Sequence, residues 1–350
     1  MKIKIGNKFI GDDCPTYLVA EMSANHSGSI KNAFKIIKEA KDAGADAIKI
    51  QTYEPDTITL NSNSTDFLID KKSPWADYKN LWYLYDIAKT PFNWHKDLFD
   101  YAKSINIDIF STPFDETSVD LLEHLNVPAY KIASPEIINI PLLKKVALTK
   151  KPIIISTGAC SSEELDSAME TLKGNGATKI IILKCTSAYP SPLEEMNIKT
   201  MSYYKEKYNT LVGLSDHSLG TTASICSVAL GASLIEKHFK LSDVSSVDSF
   251  FSIDKNEFKE LIESIRNTEK ILGGVIHSPS ESSGISLKGR SSIYVVEDIR
   301  KGETLSKENL KVIRPGFSLH PKFYEQILGK KVNKDLIKGS RINFDDILNL

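Results

Sequence analysis

From Tyr17 to Phe239 the chain alternates short, almost unbroken apolar runs with longer segments whose apolar residues recur every three or four positions. Eight runs read as strands: Tyr17–Met22, Ala47–Gln51, Ile107–Ser111, Ala129–Ser134, Ile153–Thr157, Lys179–Cys185, Leu211–Ser215 and Ser233–His238. Ile153-Ile-Ile and Ile180-Ile-Ile-Leu are apolar at consecutive positions, as in parallel strands covered on both faces. The segments between them have helical spacing. In the first, Ala33, Ile36, Ile37, Ala40 and Ala43 share a face, Lys35, Lys38, Glu39 and Lys41 lie mostly outside it, and Gly44 stops the helix. After the fifth run, Ser161-Ser-Glu-Glu164 has capping-box spacing ahead of Leu165, Met169 and Leu172, and Gly174 is expected to close that helix. Thr221–Leu230 is the helix between the last two strands.

Eight such strand–helix units predict an α/β fold, a (β/α)8 barrel over residues 1–272. An open doubly wound sheet is the alternative, and no Gly-x-Gly-x-x-Gly follows an early strand to make it a dinucleotide binder. The insertion from Glu54 to Thr90, with Trp75, Trp82 and several tyrosines, is long enough to form a wall or lid at the catalytic rim. Residues 273–286 are rich in Gly, Ser and Pro and read as a linker. Beyond it, 287–350 shows short strands and turns, a small β-rich domain near the lower size limit for independent stability, so docking onto another surface is expected.

Composition narrows the function classes. Lys plus Arg number 44 and Asp plus Glu 45, so the net charge of −1 gives no global field for nucleic acid or an anionic membrane. The first residues lack a signal-peptide core, and no apolar run approaches the ~18 residues of a membrane span. The four cysteines are scattered and read as reduced, mostly buried thiols of a cytoplasmic protein.

Candidate chemistry collects where the strands end, the face on which barrels place active sites. Gly213-Leu-Ser-Asp-His217 and Ile235-Glu-Lys-His238-Phe bring two histidines to neighbouring strand ends. Two neutral imidazoles hold a divalent metal and leave coordination positions open, as a catalytic site requires. Two hydrogen-bonded rim histidines are the plain alternative. Lys49 and Lys131, on otherwise apolar strands, with hydroxyls nearby, suit an anion carrying phosphate and carboxylate. Either lysine is also placed for a Schiff base, as in aldolases of this fold. Glu21 reads as a proton-transfer residue or as a lysine's buried partner.

In their order and at successive strand ends, these motifs resemble the sialic acid (nonulosonic acid) synthase family over nearly the whole chain. They are Glu21-Met-Ser-Ala-Asn-His26, Ala45-Asp-Ala-Ile-Lys49-Ile-Gln51, Ser111-Thr-Pro-Phe114, Tyr130-Lys-Ile-Ala-Ser134, Ser156-Thr-Gly158, Lys184-Cys-Thr-Ser-Ala-Tyr-Pro190, Gly213-Leu-Ser-Asp-His217 and Glu236-Lys-His-Phe239. The C-terminal segment, with Lys301-Gly-Glu303 and Ile313-Arg-Pro315, is similar to that family's antifreeze-like (SAF) domain. Ser23-Ala-Asn-His26, Val247-Asp-Ser-Phe-Phe-Ser252 and Phe317-Ser-Leu-His-Pro-Lys-Phe-Tyr324 are closest to the branch that makes pseudaminic acid. N-acetylneuraminate and legionaminate synthesis are the alternatives with the same chemistry.

The resemblance implies condensation of phosphoenolpyruvate with an acetamido-hexose, with Mn2+, Mg2+ or Co2+ on His217 and His238. It implies phosphoenolpyruvate binding by Lys49, Thr112, Lys131, Ser134, Ser156, Ser187 and Ser215, and gives Glu21 the attacking water or its proton. Gln51, Tyr189 and Asp248 match sugar-facing positions. Arg314 matches an arginine donated by the partner in a domain-swapped homodimer. Phe250 or Phe251 is expected to pack on the sugar's C6 methyl. A carbohydrate- or ice-binding module with an inactive barrel is the non-enzymatic alternative, and it requires the metal and anion residues to be missing.

Overall fold

The computed structural model describes residues 1–349, which divide after Gly273 into two compact units. The first opens with a hairpin absent from the pattern analysis, β1 (Lys2–Ile5) against β2 (Lys8–Gly11). Its Ile3, Ile5 and Ile10 join the barrel core, and Gly6 turns at φ 53° where an added Cβ would meet the Asp108 carboxylate. The hairpin therefore covers the end of the barrel at which the strands begin.

Eight parallel strands then close in chain order, β3 (Tyr17–Glu21), β4 (Ala47–Thr52), β5 (Asp108–Pro113), β6 (Tyr130–Ile132), β7 (Ile153–Ser156), β8 (Ile180–Cys185), β9 (Leu211–Asp216) and β10 (Leu234–His238). β10 pairs back onto β3, so the sheet has no free edge. The strands are buried on both faces because helices cover the outside. The helix Ile30–Ala43 buries Ala33, Ile36, Ile37, Ala40 and Ala43, the stripe the sequence pattern predicts, and Gly44 ends it at φ 99°. On β9, Gly213 meets β10 so closely that a Cβ would lie 2.1 Å from Leu234 O.

The helix after β7 has its Ser161–Glu164 capping box and closes at Gly174 as expected, with the left-handed turn at Gly176, φ 90°. Two expectations need correction. The segment expected to be all linker ends in a turn, Glu281–Ser283, and a short helix, Gly284–Lys288. The cysteines are free, but they are not mostly buried. Cys185 is buried, Cys14 and Cys160 are partly exposed, and Cys226 is exposed on the helix Thr222–Ala229, whose buried residues are Ala223, Ser224, Ser227 and Val228.

The second unit has its own core of Ile293, Val295, Ile299, Leu305, Leu310, Ile327, Val332, Leu336, Ile342 and Ile347. β11 (Ser292–Val295) pairs antiparallel with β12 (Leu310–Ile313), and isolated bridges such as Ile299 to Leu336 extend the small β structure. Among the described residues, no helix is long and apolar enough to cross a membrane.

Candidate active site

Strand register decides which polar residues meet. His238 pairs with Glu21, Glu21 with Lys49, Gln51 with Thr112, and Cys185 with Ser215. At the C-terminal ends of the strands these residues enclose a cavity of about 70 Å³. Glu21, Lys49, Gln51, Thr112, Lys131, Ser134, Ser156, Cys185, Tyr189, Ser215, Glu236, His217 and His238 are among those lining it. A second cavity, of about 380 Å³, lies farther out and shares Gln51, Tyr189 and His238 with the first. That volume falls in the range of small-molecule sites. Its lining adds Ser23, Tyr53, Asp248 and Phe251, and six side chains of the Glu54–Thr90 insertion besides Tyr53-flanked Tyr85, namely Ile69, Ser73, Trp75, Leu81, Leu84 and Ala88.

The inner cavity is held by buried charges. Lys49 Nζ lies 2.7 Å from Glu21 Oε2 and 3.7 Å from Glu236 Oε1, and Lys131 Nζ lies 3.6 Å from that same Glu236 oxygen. Lys49 also donates to Thr112 Oγ1 at 3.2 Å, and Ser215 Oγ donates to Glu236 Oε1 at 3.1 Å. Burial raises the Glu21 pKa against the pull of Lys49. Burial opposes ionisation of Glu236 as well, but Lys131 and Lys49 outweigh it and hold that carboxyl below its usual value. For Lys49, burial is outweighed by the two glutamates and the pKa rises; for Lys131, burial wins and the pKa falls. Ser156 Oγ, Glu236 Oε2 and His238 Nδ1 are buried with no hydrogen-bond partner. Buried polar atoms of this kind normally find one.

His217 follows β9 and His238 ends β10, with ring centres 5.3 Å apart. His217 Nδ1 donates to Thr186 O at 3.0 Å, which leaves Nε2 as the acceptor nitrogen of the neutral ring. Burial disfavours charge on His217, but Cys185 Sγ at 3.9 Å and the Thr186 carbonyl outweigh it and raise the pKa. In His238, burial and then the neighbouring His217 both disfavour charge, and the ring is held neutral. Among the described residues, no three His, Cys, Asp or Glu side chains gather as a metal cage.

A chain of hydrogen bonds joins the two cavities. Gln51 Nε2 donates to Glu21 Oε1 and to Ser23 Oγ, both at 3.0 Å, and Ser23 Oγ donates to Asp248 Oδ2 at 2.5 Å. Ser23 holds a left-handed φ of 45°, uncommon outside glycine and frequent at functional sites. Behind the histidines, Lys237 Nζ and Asp216 Oδ2 form a buried pair at 2.9 Å, and Ser218 and Ser224 complete the bonding of that carboxylate.

The fold thus assembles Glu21, Lys49, Gln51, Thr112, Lys131, Ser134, Ser156, Tyr189, Ser215, His217 and His238 around one space, with Asp248 beside it. Ser187 is not in the lining: it is exposed at the rim, close to Gly158. Arg314 is exposed after β12, in the second unit. Phe251 lines the outer cavity against His238 (4.7 Å between ring centres), whereas Phe250 is 45% exposed and outside the lining. Sequence reasoning placed Glu236 among the polar residues at the strand ends but gave it no role; it sits two positions before His238 and therefore on the same face of β10. Ser23 stood in a quoted motif and Trp75 in the insertion read as a wall or lid, but neither was given a role in the site.

Residues 36–277 match the NeuB family, and residues 290–348 match the SAF domain. The chain is 46% identical over 348 residues to the pseudaminic acid synthase of Campylobacter jejuni serotype O:2, covering 98% of this chain and 99% of that protein. It is 38% identical over 330 residues to the N,N'-diacetyllegionaminic acid synthase of the same organism, covering 91% and 96%. The crystal structure of an N-acetylneuraminic acid synthetase from Leptospira borgpetersenii, in complex with citrate, aligns with a TM-score of 0.72 at 30% identity, over 82% of this chain and 95% of that one.

Replacing Lys237 by Met strands the Asp216 carboxylate in the core behind both histidines. The expected loss of stability is about 3–5 kcal/mol, read by urea unfolding, and a Lys237→Met, Asp216→Asn double variant should recover at least half of it. A single variant as stable as the parent would contradict this account of the pair.

Proposed function

The chain belongs to the NeuB family, and on that premise we propose that it is a pseudaminic acid synthase. It joins phosphoenolpyruvate, 2,4-diacetamido-2,4,6-trideoxy-L-altrose and water into pseudaminic acid and phosphate, breaking the C–O bond of phosphoenolpyruvate. The observation that carries the reading is the partition of the site. A small inner cavity lined by two lysines and the hydroxyls of Thr112, Ser134, Ser156 and Ser215 suits a compact anion, and a larger, mostly apolar outer cavity suits an acetamido sugar. The higher identity to the pseudaminic acid synthase than to the legionaminic acid synthase of one organism supports the choice of sugar.

Lys49 and Lys131, with Thr112, Ser134, Ser156 and Ser215, hold the phosphate and carboxylate of phosphoenolpyruvate, and Ser187 adds a hydroxyl from the rim. C3 then faces the outer cavity and attacks the aldehyde carbon of the open-chain sugar, which Gln51, Tyr189 and Asp248 orient. Water adds to C2. Glu21, whose basicity burial enhances, takes the water's proton, and Gln51 keeps its carboxylate aimed. The tetrahedral adduct collapses with loss of phosphate.

His217 and His238 fit a divalent cation, Mn2+, Mg2+ or Co2+. The acceptor nitrogen of His217 and the unpartnered Nδ1 of buried His238 supply lone pairs, and two protein ligands leave positions for substrate and water. The charge balance points the same way, since Glu21 and Glu236 offset Lys49 and Lys131 and leave the inner cavity without net charge for an anion. When bound, the cation polarises the aldehyde carbonyl and adds the positive charge that these four residues lack.

One observation favours a second reading. The lowered pKa of Lys131 suits an amine nucleophile, as a Schiff-base aldolase would use. Its contact with the ionised Glu236 at 3.6 Å favours a charged lysine that binds an anion.

The enzyme is further proposed to act as a domain-swapped homodimer, with Arg314 of one copy completing the site of the other. Val275, Ile276 and Ile285, 74–90% exposed, are apolar side chains that such an assembly would cover. Use of phosphoenolpyruvate supports a cytoplasmic location.

In a phosphate-release assay, the diacetamido trideoxy-altrose should exceed both N-acetylmannosamine and the legionaminate precursor in kcat/KM by about 10-fold or more. Equal or better turnover of N-acetylmannosamine reassigns the chain to sialate synthesis. Chelation should abolish activity without changing the circular dichroism spectrum, and divalent metal should restore it. A His217→Ala, His238→Ala double variant should lose about a thousandfold or more, and full activity in that variant would remove the metal from the scheme. Mixing inactive His217→Ala and Arg314→Ala proteins under subunit exchange should restore activity. Proven exchange without complementation would rule out completion by the partner.

A further inference from the structure

The lining of the outer cavity has two sources. The first includes Gln51, Asp248 and His238, which give it polar groups, and Gln51 and His238 also line the inner cavity. The second is the Glu54–Thr90 insertion, which supplies the apolar Ile69, Trp75, Leu81, Leu84 and Ala88 together with Ser73 and Tyr85. The aldehyde end of an open-chain sugar has to lie at the shared residues Gln51, Tyr189 and His238, where the two cavities join, so its far end reaches the insertion.

Trp75 is fixed in this wall by contacts outside its own segment. Its Nε1 donates to Val247 O at 3.1 Å, and its ring meets Tyr189 and Phe250 edge-on, with centres 5.6 and 6.1 Å apart. Of the two phenylalanines offered for the sugar's C6 methyl, Phe251 lines the cavity and Phe250 supports the indole from outside it. These contacts fix the indole in the lining of the outer cavity.

We infer that the apolar face of the insertion, with Trp75 at its centre, is an acyl recess that takes the methyl end of an N-acyl group on the distal amino nitrogen of the sugar. The inference rests on the pseudaminate-type reading of the site and assigns to the insertion the choice between acylated and unacylated sugars. Trp75 is a binding residue in this scheme, remote from the reacting atoms.

The test compares the parent enzyme with Trp75→Ala and Trp75→Phe on two sugars, the 2,4-diacetamido-2,4,6-trideoxyhexose and its 4-amino counterpart, with phosphoenolpyruvate kinetics measured alongside. Trp75→Ala should lower kcat/KM for the diacetamido sugar by about 10–200-fold, mainly through KM. Its kcat/KM for the 4-amino sugar should stay within about threefold, and KM for phosphoenolpyruvate should not move. Trp75→Phe should recover most of the loss. Equal losses on both sugars, or a raised KM for phosphoenolpyruvate, would mean that Trp75 only holds the fold and would overturn the inference while leaving the proposed function intact. No loss on either sugar would overturn it too. A parent enzyme inert toward the diacetamido sugar would remove the proposed function itself, and the recess with it.

Discussion

Four charges buried at one end of the barrel constrain everything around them. Glu21, Lys49, Glu236 and Lys131 are each no more than 5% exposed, and each would be costly to bury alone. They are tolerated because strand register sets carboxylates and ammonium groups in alternation, with Glu236 between the two lysines. The closed sheet makes this possible: β10 returns to β3, so Glu236 and His238 reach the same space as Glu21 and Lys49 although more than 180 residues separate them in the chain. A buried ion network is weak support for stability, so its retention is better explained by what it does for a ligand. Glu236 Oε2, with Ser156 Oγ and His238 Nδ1 of the same cavity lining, has no hydrogen-bond partner.

Division of labour between the two cavities follows from where their residues come from. The inner one is built from strand ends, whose positions the barrel fixes, and it holds the groups proposed to bind charge and move protons. The outer one draws half its lining from an inserted segment packed onto the barrel through contacts such as Trp75 to Val247. Rigid chemistry with variable recognition is the usual economy of barrel enzymes, in which loops change and strand ends stay. The Glu21–Gln51–Ser23–Asp248 chain couples the two, since a sugar that engages Asp248 also acts on the residue assigned to the water's proton.

The barrel was legible in the sequence because strands buried on both faces leave runs such as Ile153-Ile-Ile that no surface element tolerates. The β1–β2 hairpin was not, since β1, alternating Lys and Ile, and β2, Lys-Phe-Ile-Gly, are four residues each, too short a pattern to separate from a frayed terminus. Most site residues were legible from their place at strand ends. Glu236 was legible as a polar residue at a strand end, but its role was not, because its lysine partners stand on other strands; in the structure Glu236 and Lys237 face opposite sides of β10 and find different partners. The insertion carrying Trp75 was legible as a wall at the rim, but the seat of the indole was not, because its partner Val247 lies 172 positions away. Ser187 looked equivalent to Ser156 and Ser215 by motif, but the chain leaves β8 at Cys185 and carries it outward.

The central claim is that phosphoenolpyruvate is held by Lys49 and Lys131 so that water attacks its C2 and phosphate leaves with the bridging oxygen. Phosphoenolpyruvate labelled with oxygen-18 at that bridge, turned over with the diacetamido sugar, tests it directly through the mass of the released phosphate. The account predicts that every phosphate formed carries the label. Unlabelled phosphate would mean cleavage of the P–O bond and would contradict it.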